Sequence, residues 1–163
     1  AAAWCVALRN VSGPTALLLT RQSLPPLDGS ERALEGMRSG AYVLSCDGDP
    51  EMILMGTGSE VQLCVGAAEA LRAAGRRVRV LSIPSMDRLL AMSADGRAEL
   101  LLPSVTRRLA VEAGRSFGWR ELVGDAGEII GIDSFGESAP AGDLAMHFGF
   151  NTAHVSEVAL GMF

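Results

Sequence analysis

The stretch Met52-Ile53-Leu54-Met55-Gly56-Thr57-Gly58-Ser59-Glu60-Val61 decides the fold. Four apolar residues without interruption read as a strand buried on both faces, as in a parallel sheet. The Gly-Thr-Gly-Ser turn then opens a helix in which Val61, Cys64, Val65, Ala68 and Leu71 keep helical spacing, and Gly75 supplies its C-terminal stop. Val78 to Ile83 (V-R-V-L-S-I) forms the next strand, ended by Pro84. Downstream come helical regions around Met86 to Met92 and Arg97 to Leu102, a strand at Arg108 to Val111 and a short helix at Trp119 to Val123. A strand at Glu128 to Ile132 and helices at Leu144 to Phe148 and Ala153 to Met162 close the chain, with Asn151-Thr152 as the N-cap of the last. This alternation predicts an α/β fold: a three-layer αβα domain with a mostly parallel sheet and helices on both faces.

Upstream the pattern changes. The segment up to Asn10 has helix-forming composition, and Asn-Val-Ser-Gly-Pro (10–14) stops it. Thr15 to Thr20 (T-A-L-L-L-T) reads as a short buried strand, while Pro25-Pro26 in Ser23 to Gly29 forbid both helix and central strand. A linker over residues 24–40 follows, its far end marked by Gly36, Ser39 and Gly40, with the α/β domain occupying 41–163.

Composition narrows the chemistry. The 163 residues are 48% hydrophobic and carry 14 cations against 19 acidic groups, a net charge of −5. All the cations are arginine. Without lysine there is no Schiff-base amine and no phosphate loop ending in Gly-Lys-Ser/Thr. The acidic balance, relieved only by the Arg76-Arg77-Val78-Arg79 cluster, argues against a nucleic-acid partner. Cys5, Cys46 and Cys64 are odd in number and widely spaced, which suits a reducing compartment. No run approaches the ~20 apolar residues of a membrane span.

Ligands of parallel sheets gather beyond the carboxyl ends of the strands, here Gly56 to Glu60, Ser82 to Ser85, Glu112 to Gly114 and Asp133 to Pro140. The Gly56-Thr57-Gly58 turn has the setting of a dinucleotide fingerprint, but Val61 stands at the third glycine position and no acidic residue ends the second strand. A tight turn with Ser59 or Thr57 capping the helix is the plainer reading. His147 and His154 do not share a helix face, and no Asp, Glu or Cys stands at ligand spacing from either, so a zinc site is not expected. Ser59, Ser134 and Ser138 lack a nucleophile elbow. Asp133 and Glu137 suit capping and loop hydrogen bonds better than acid–base work. Arg21 differs from these, because a guanidinium at the end of the strand Thr15 to Thr20 can grip a phosphate or carboxylate in bidentate fashion. An ion pair anchoring the linker is an equal alternative.

Six runs in order, G-P-T-A-L-L-L-T-R-Q (13–22), M-G-T-G-S-E-V (55–61), V-R-V-L-S-I-P-S (78–85), L-P-S-V-T-R-R (102–108), A-V-E-A-G (110–114) and F-G-E-S-A-P (135–140), resemble the transketolases. The central turn is shared more loosely with deoxyxylulose-phosphate synthase and the β subunits of 2-oxo-acid dehydrogenases. The resemblance covers nearly the whole chain and corresponds to the C-terminal quarter of the family's polypeptide. It implies that residues 1–23 are a helix–strand remnant of the pyrimidine-binding domain, 24–40 the linker and 41–163 the C-terminal domain. It also implies ketol transfer between sugar phosphates in the pentose phosphate pathway or Calvin cycle, with thiamine diphosphate and Mg²⁺ or another divalent cation held by absent regions, and a homodimeric parent. The one functional position that carries over is Arg21, as the arginine that holds the substrate's terminal phosphate. No catalytic, cofactor or metal residue is expected in the chain.

The sequence departs from the family at F-G-F-N-T-A (148–153) and at Met86-Asp87-Arg88-Leu89-Leu90, which affects local loops. It opens without Met and reads as starting inside a helix, so a fragment of a longer enzyme is expected, inactive alone and exposing apolar surface over its first 23 residues. Its compartment is expected to be the cytoplasm, or the plastid of a photosynthetic source. The alternatives are a free-standing α/β binding or dimerisation module that uses its Gly56 to Glu60 turn for a small anionic regulator, and the C-terminal domain of another thiamine-diphosphate enzyme.

Overall fold

The computed structural model describes residues 1–163. Five strands, β1 (Tyr42–Cys46), β2 (Met52–Gly56), β3 (Val78–Ser82), β4 (Arg108–Val111) and β5 (Glu128–Ile130), form one sheet in the order β1-β3-β2-β4-β5. β2, β3, β4 and β5 pair in parallel, whereas β1 lies antiparallel to β3 at one edge. Of the eight helices, α1 (Ala2–Arg9) and α2 (Ala33–Ser39) precede the sheet. α3 (Val61–Ala73) joins β2 to β3, α4 (Met86–Leu90) and α5 (Ala94–Leu101) lead into β4, and α6 (Arg120–Val123) leads into β5. α7 (Ala141–His147) and α8 (Thr152–Gly161) end the chain. The mostly parallel sheet and the helices on both of its faces follow from the alternation of apolar bursts. No helix is long and apolar enough to cross a membrane.

Two cores lie on the two faces, and the period-2 geometry of strands divides their residues. Met52 and Leu54 of β2, with Val78, Val80, Leu109 and Val111, pack against α3 and α8. Ile53 and Met55, with Leu81 and Ala110, pack against Leu89, Leu101, Leu122 and Val123 from α4, α5 and α6. The α3 residues Val61, Cys64, Ala67, Ala68 and Leu71 are buried, a stripe that matches the predicted amphipathic face. Asn151 caps α8, its Oδ1 accepting from the His154 amide at 2.9 Å.

Arginines stitch the helices to the sheet. Half-buried Arg108 donates to the carbonyls of Val105 (2.9 Å), Leu122 (2.9 Å) and Leu101 (3.0 Å). Arg79 donates to Glu99 O (2.7 Å) and Leu100 O (2.9 Å), satisfying carbonyls at the end of α5 that have no intrahelical partner.

Three features differ from the sequence reading. Thr15 to Thr20 is not a strand: it joins no sheet of this chain, and Leu18 and Leu19 stand 91% and 71% exposed. An extended segment without a ladder partner has no hydrogen bonds to hold it as a strand. Tyr42–Cys46 is a strand that the sequence did not announce, because an antiparallel edge with a half-buried, polar-interrupted sequence lacks the continuous apolar run of the inner strands. The far half of residues 24–40 is structured, with a 3₁₀ turn at Ser30–Arg32 and then α2. Gly36 sits inside α2 because it presses on the Tyr42 ring, where a Cβ would lie 2.2 Å from Cδ1.

Leu54 is fully buried in the middle of the central strand. Leu54→Ala is expected to lower the unfolding free energy by ~3 kcal/mol, through lost transfer energy and a residual cavity. Urea titration followed by circular dichroism measures it, and a loss below ~1 kcal/mol would mean that the core collapses around the gap.

Candidate functional site

The carboxyl edge of the sheet is built by the turns after β2 and β4. After Gly56 the chain passes through Thr57 and a 3₁₀ turn, Gly58–Glu60, before α3 begins. Neither Thr57 nor Ser59 caps this start, in contrast to the sequence reading. The Ser59 hydroxyl instead donates to Glu60 Oε1 at 2.6 Å, a charge-assisted bond.

Glu112 follows β4 directly and is half-buried, and its amide donates to Ile130 O at 3.0 Å. Burial raises its carboxyl above the usual range, the negative charge of Glu60 adds to that, and a hydrogen bond from Trp119 opposes it. Beneath them Cys64 is fully buried, its thiol pushed up to about 12 by desolvation and then by Glu60. The rim therefore carries negative charge and an unreactive thiol. Val61 at the third glycine position is itself a core residue. Two carboxylates and a buried valine where a pyrophosphate would rest leave the turn unsuited to a dinucleotide or any small anion.

On the adjoining loops Asp133 is engaged structurally. Its Oδ2 accepts from the Ser116 hydroxyl at 2.6 Å and its Oδ1 from the Ser116 amide at 3.1 Å. Those two bonds hold its carboxyl below the ordinary range, with Arg115 contributing at 3.9 Å. Asp133 ties two loops together, and no contact joins it to Glu137, so the loop-bonding reading accounts for it. His147 ends α7 and His154 lies on α8, and the two line one shallow cleft with Asn151 and Glu157. The sequence separated these histidines, but the bend at Gly149 brings them together; even so, no group of three His, Cys, Asp or Glu side chains in the chain could hold a metal ion. All three cysteines are free thiols, Cys5 and Cys46 exposed and Cys64 buried.

Arg21 lies elsewhere, exposed at a bend after the irregular segment 14–20 and before Pro25-Pro26. Its neighbour Gln22 donates its amide to Thr20 Oγ1 at 3.2 Å, which shapes the bend. No carboxylate of this chain pairs with Arg21, so the ion-pair alternative finds no partner here. Its guanidinium is free to donate, as a fork, to two oxygens of a carboxylate or phosphate. The pairing of Glu60 with Glu112 had no signal in the sequence, since the two are remote along the chain and meet only because β2 and β4 are neighbours.

A protein-family model described as the transketolase-like TK C-terminal domain matches residues 40–151. The transketolase of Halalkalibacterium halodurans is 47% identical over 156 residues, covering 94% of this chain and 23% of its own length. That of Geobacillus stearothermophilus is 49% identical over 158 residues, covering 95% of this chain and 24% of its own. The solved transketolase of Leishmania mexicana superimposes with a TM-score of 0.90 at 37% identity, over 99% of this chain and 23% of that one. The chain thus spans about a quarter of the length of the relatives it matches.

The raised Glu112 carboxyl sets the sign of a pH effect. Its contribution to stability is fully present below the ordinary glutamate value near 4.5 and is lost as pH rises through the elevated folded value. Glu112→Gln keeps an acceptor for Trp119 and removes the charge. At pH 7 it is expected to match or exceed the parent stability by up to ~0.5 kcal/mol, solvent screening of the half-buried group included. Urea midpoints from pH 4 to 8 should therefore decline less steeply for the variant; parallel profiles would remove Glu112 as the titrating group.

Proposed function

We propose, because the chain belongs to the transketolase family, that it is the C-terminal part of an enzyme that moves a two-carbon ketol unit from a ketose phosphate to an aldose phosphate. The observation that carries this reading is similarity to transketolases over 94% to 99% of the chain. Residues 1–23 belong on this reading to the preceding pyrimidine-binding domain, 24–40 to the linker and 41–163 to the C-terminal domain.

Thiamine diphosphate with Mg²⁺ or another divalent cation supplies the carbanion chemistry in such an enzyme. The residues of this chain do not fit that group. No three side chains converge as cation ligands, and the turn that could cradle a diphosphate faces Glu60 and Glu112. Cofactor and metal are therefore assigned to parts of the parent that precede this chain, and so is the activation of the cofactor.

What this chain brings to the substrate is Arg21. Its exposed, unpaired guanidinium can hold the terminal phosphate of a sugar by donating two parallel N–H···O bonds, remote from the reacting carbons. Such a contact orients the substrate without taking part in the bond changes. The parent is assigned as a homodimer acting on sugar phosphates in the cytoplasm, or in the plastid of a photosynthetic source.

In the full-length enzyme Arg21→Ala is expected to raise KM for a phosphorylated donor about tenfold or more and to leave an unphosphorylated donor unaffected. Steady-state kinetics with both donors measure this, and equal effects on the two would remove the phosphate role. The chain by itself is expected to transfer no ketol unit even at saturating cofactor; turnover by a preparation free of the parent enzyme would overturn the assignment.

A further inference from the structure

Residues 27–40 form a strap across the open edge of β1. Leu27 packs against the core that holds α3 and α8. Gly29 adopts a left-handed conformation (φ +85°) directly over the Leu44 carbonyl, where a Cβ would lie 2.3 Å from the oxygen. Arg32 Nη1 donates to Val43 O at 3.1 Å and to Leu44 O at 3.3 Å, at the site where the β1–β3 register slips. Those carbonyls have no strand partner on that side, because β1 ends the sheet. At the strap's far end Gly40 O accepts from the Ser85 amide at 3.1 Å, and Arg88 reaches Arg38 O at 3.4 Å.

The strap also holds the segment before it. α1 packs on α2, so residues 10–26 form a loop that is anchored at one end by α1 on α2 and at the other by Leu27, Gly29 and Arg32 on β1. Arg21 is carried on this loop, six residues before Leu27 and separated from it by the stiff pair Pro25-Pro26. Little slack lies between the guanidinium and the point where the chain grips the sheet.

We infer that Arg32 is a positioning residue for substrate phosphate: by clamping the strap to β1 it fixes where Arg21 presents its guanidinium. Gly29 acts in the same way, by allowing the close approach. The inference rests on the phosphate role of Arg21 proposed above. Arg32 touches no substrate, and its effect passes entirely through the strap.

The test uses the full-length enzyme with Arg32→Ala, Arg32→Lys, Arg21→Ala and the double variant, assayed with a phosphorylated and an unphosphorylated donor. Arg32→Ala is expected to raise KM for the phosphorylated donor about threefold, leaving kcat and the unphosphorylated donor unchanged, with Arg32→Lys recovering part of the loss. The double variant should equal Arg21→Ala alone, since the clamp has nothing left to position. Hydrogen exchange should speed up in residues 10–46 in Arg32→Ala and, more strongly, in Gly29→Ala. If Arg21→Ala shows the phosphate-specific effect while Arg32→Ala is silent, or adds to it in the double variant, the positioning role is overturned and the phosphate reading stands. If Arg21→Ala itself shows no such effect, both fall.

Discussion

Everything in this fold is referenced to β2, the one strand whose every residue is buried. It has a strand on each side and a core on each face, so all its backbone groups and side chains are used internally. A strand in that position tolerates no polar residue and no register slip, because a shift by one residue would exchange the two cores. β3 and β4 are registered on it from Met52↔Val78 and Ile53↔Arg108 onward, which places the turns after Gly56 and Val111 side by side. The location of the rim carboxylates is thus a consequence of β2 packing.

The inner architecture is legible because the parallel strands are short apolar runs, β2 closed by Gly56 and β3 followed by Pro84, and the helix after β2 repeats its apolar residues at helical spacing. What escaped was whatever depends on a partner remote in sequence. Tyr42–Cys46 has an ordinary half-polar sequence and becomes a strand only because β3 offers it an edge. Thr15 to Thr20 has the composition of a buried strand, but composition states a need for burial and does not supply the neighbour. Gly36 and Gly40 look like breakers, yet one lies inside α2 against Tyr42 and the other caps it in a left-handed conformation. At the candidate site, the segments at the carboxyl ends were identified correctly, whereas the Glu60–Glu112 repulsion and the Ser116–Asp133 bond needed tertiary placement. Arg21 stands out in the sequence as a guanidinium that can grip an anion, and only the family resemblance suggests that the anion is a substrate phosphate.

The electrostatics separate two regions with different tasks. At the carboxyl edge of the sheet, where α/β domains commonly bind ligands, carboxylates and a buried thiol leave no anion cradle. Positive charge without an internal partner sits instead on the loop before the domain, at Arg21. The carboxyl edge of the sheet is therefore ill suited to a phosphate of its own, while the strap on β1 joins the sheet to the loop that carries Arg21.

Arg32, Arg79, Arg88, Arg108 and Arg120 all terminate on backbone carbonyls, and no lysine exists to share the work. Guanidinium stays protonated far beyond the range in which ammonium groups discharge. Reagents that attack amines find no side chain to modify, whereas dicarbonyl compounds, which condense with guanidinium, act directly on the groups that fasten helix to sheet.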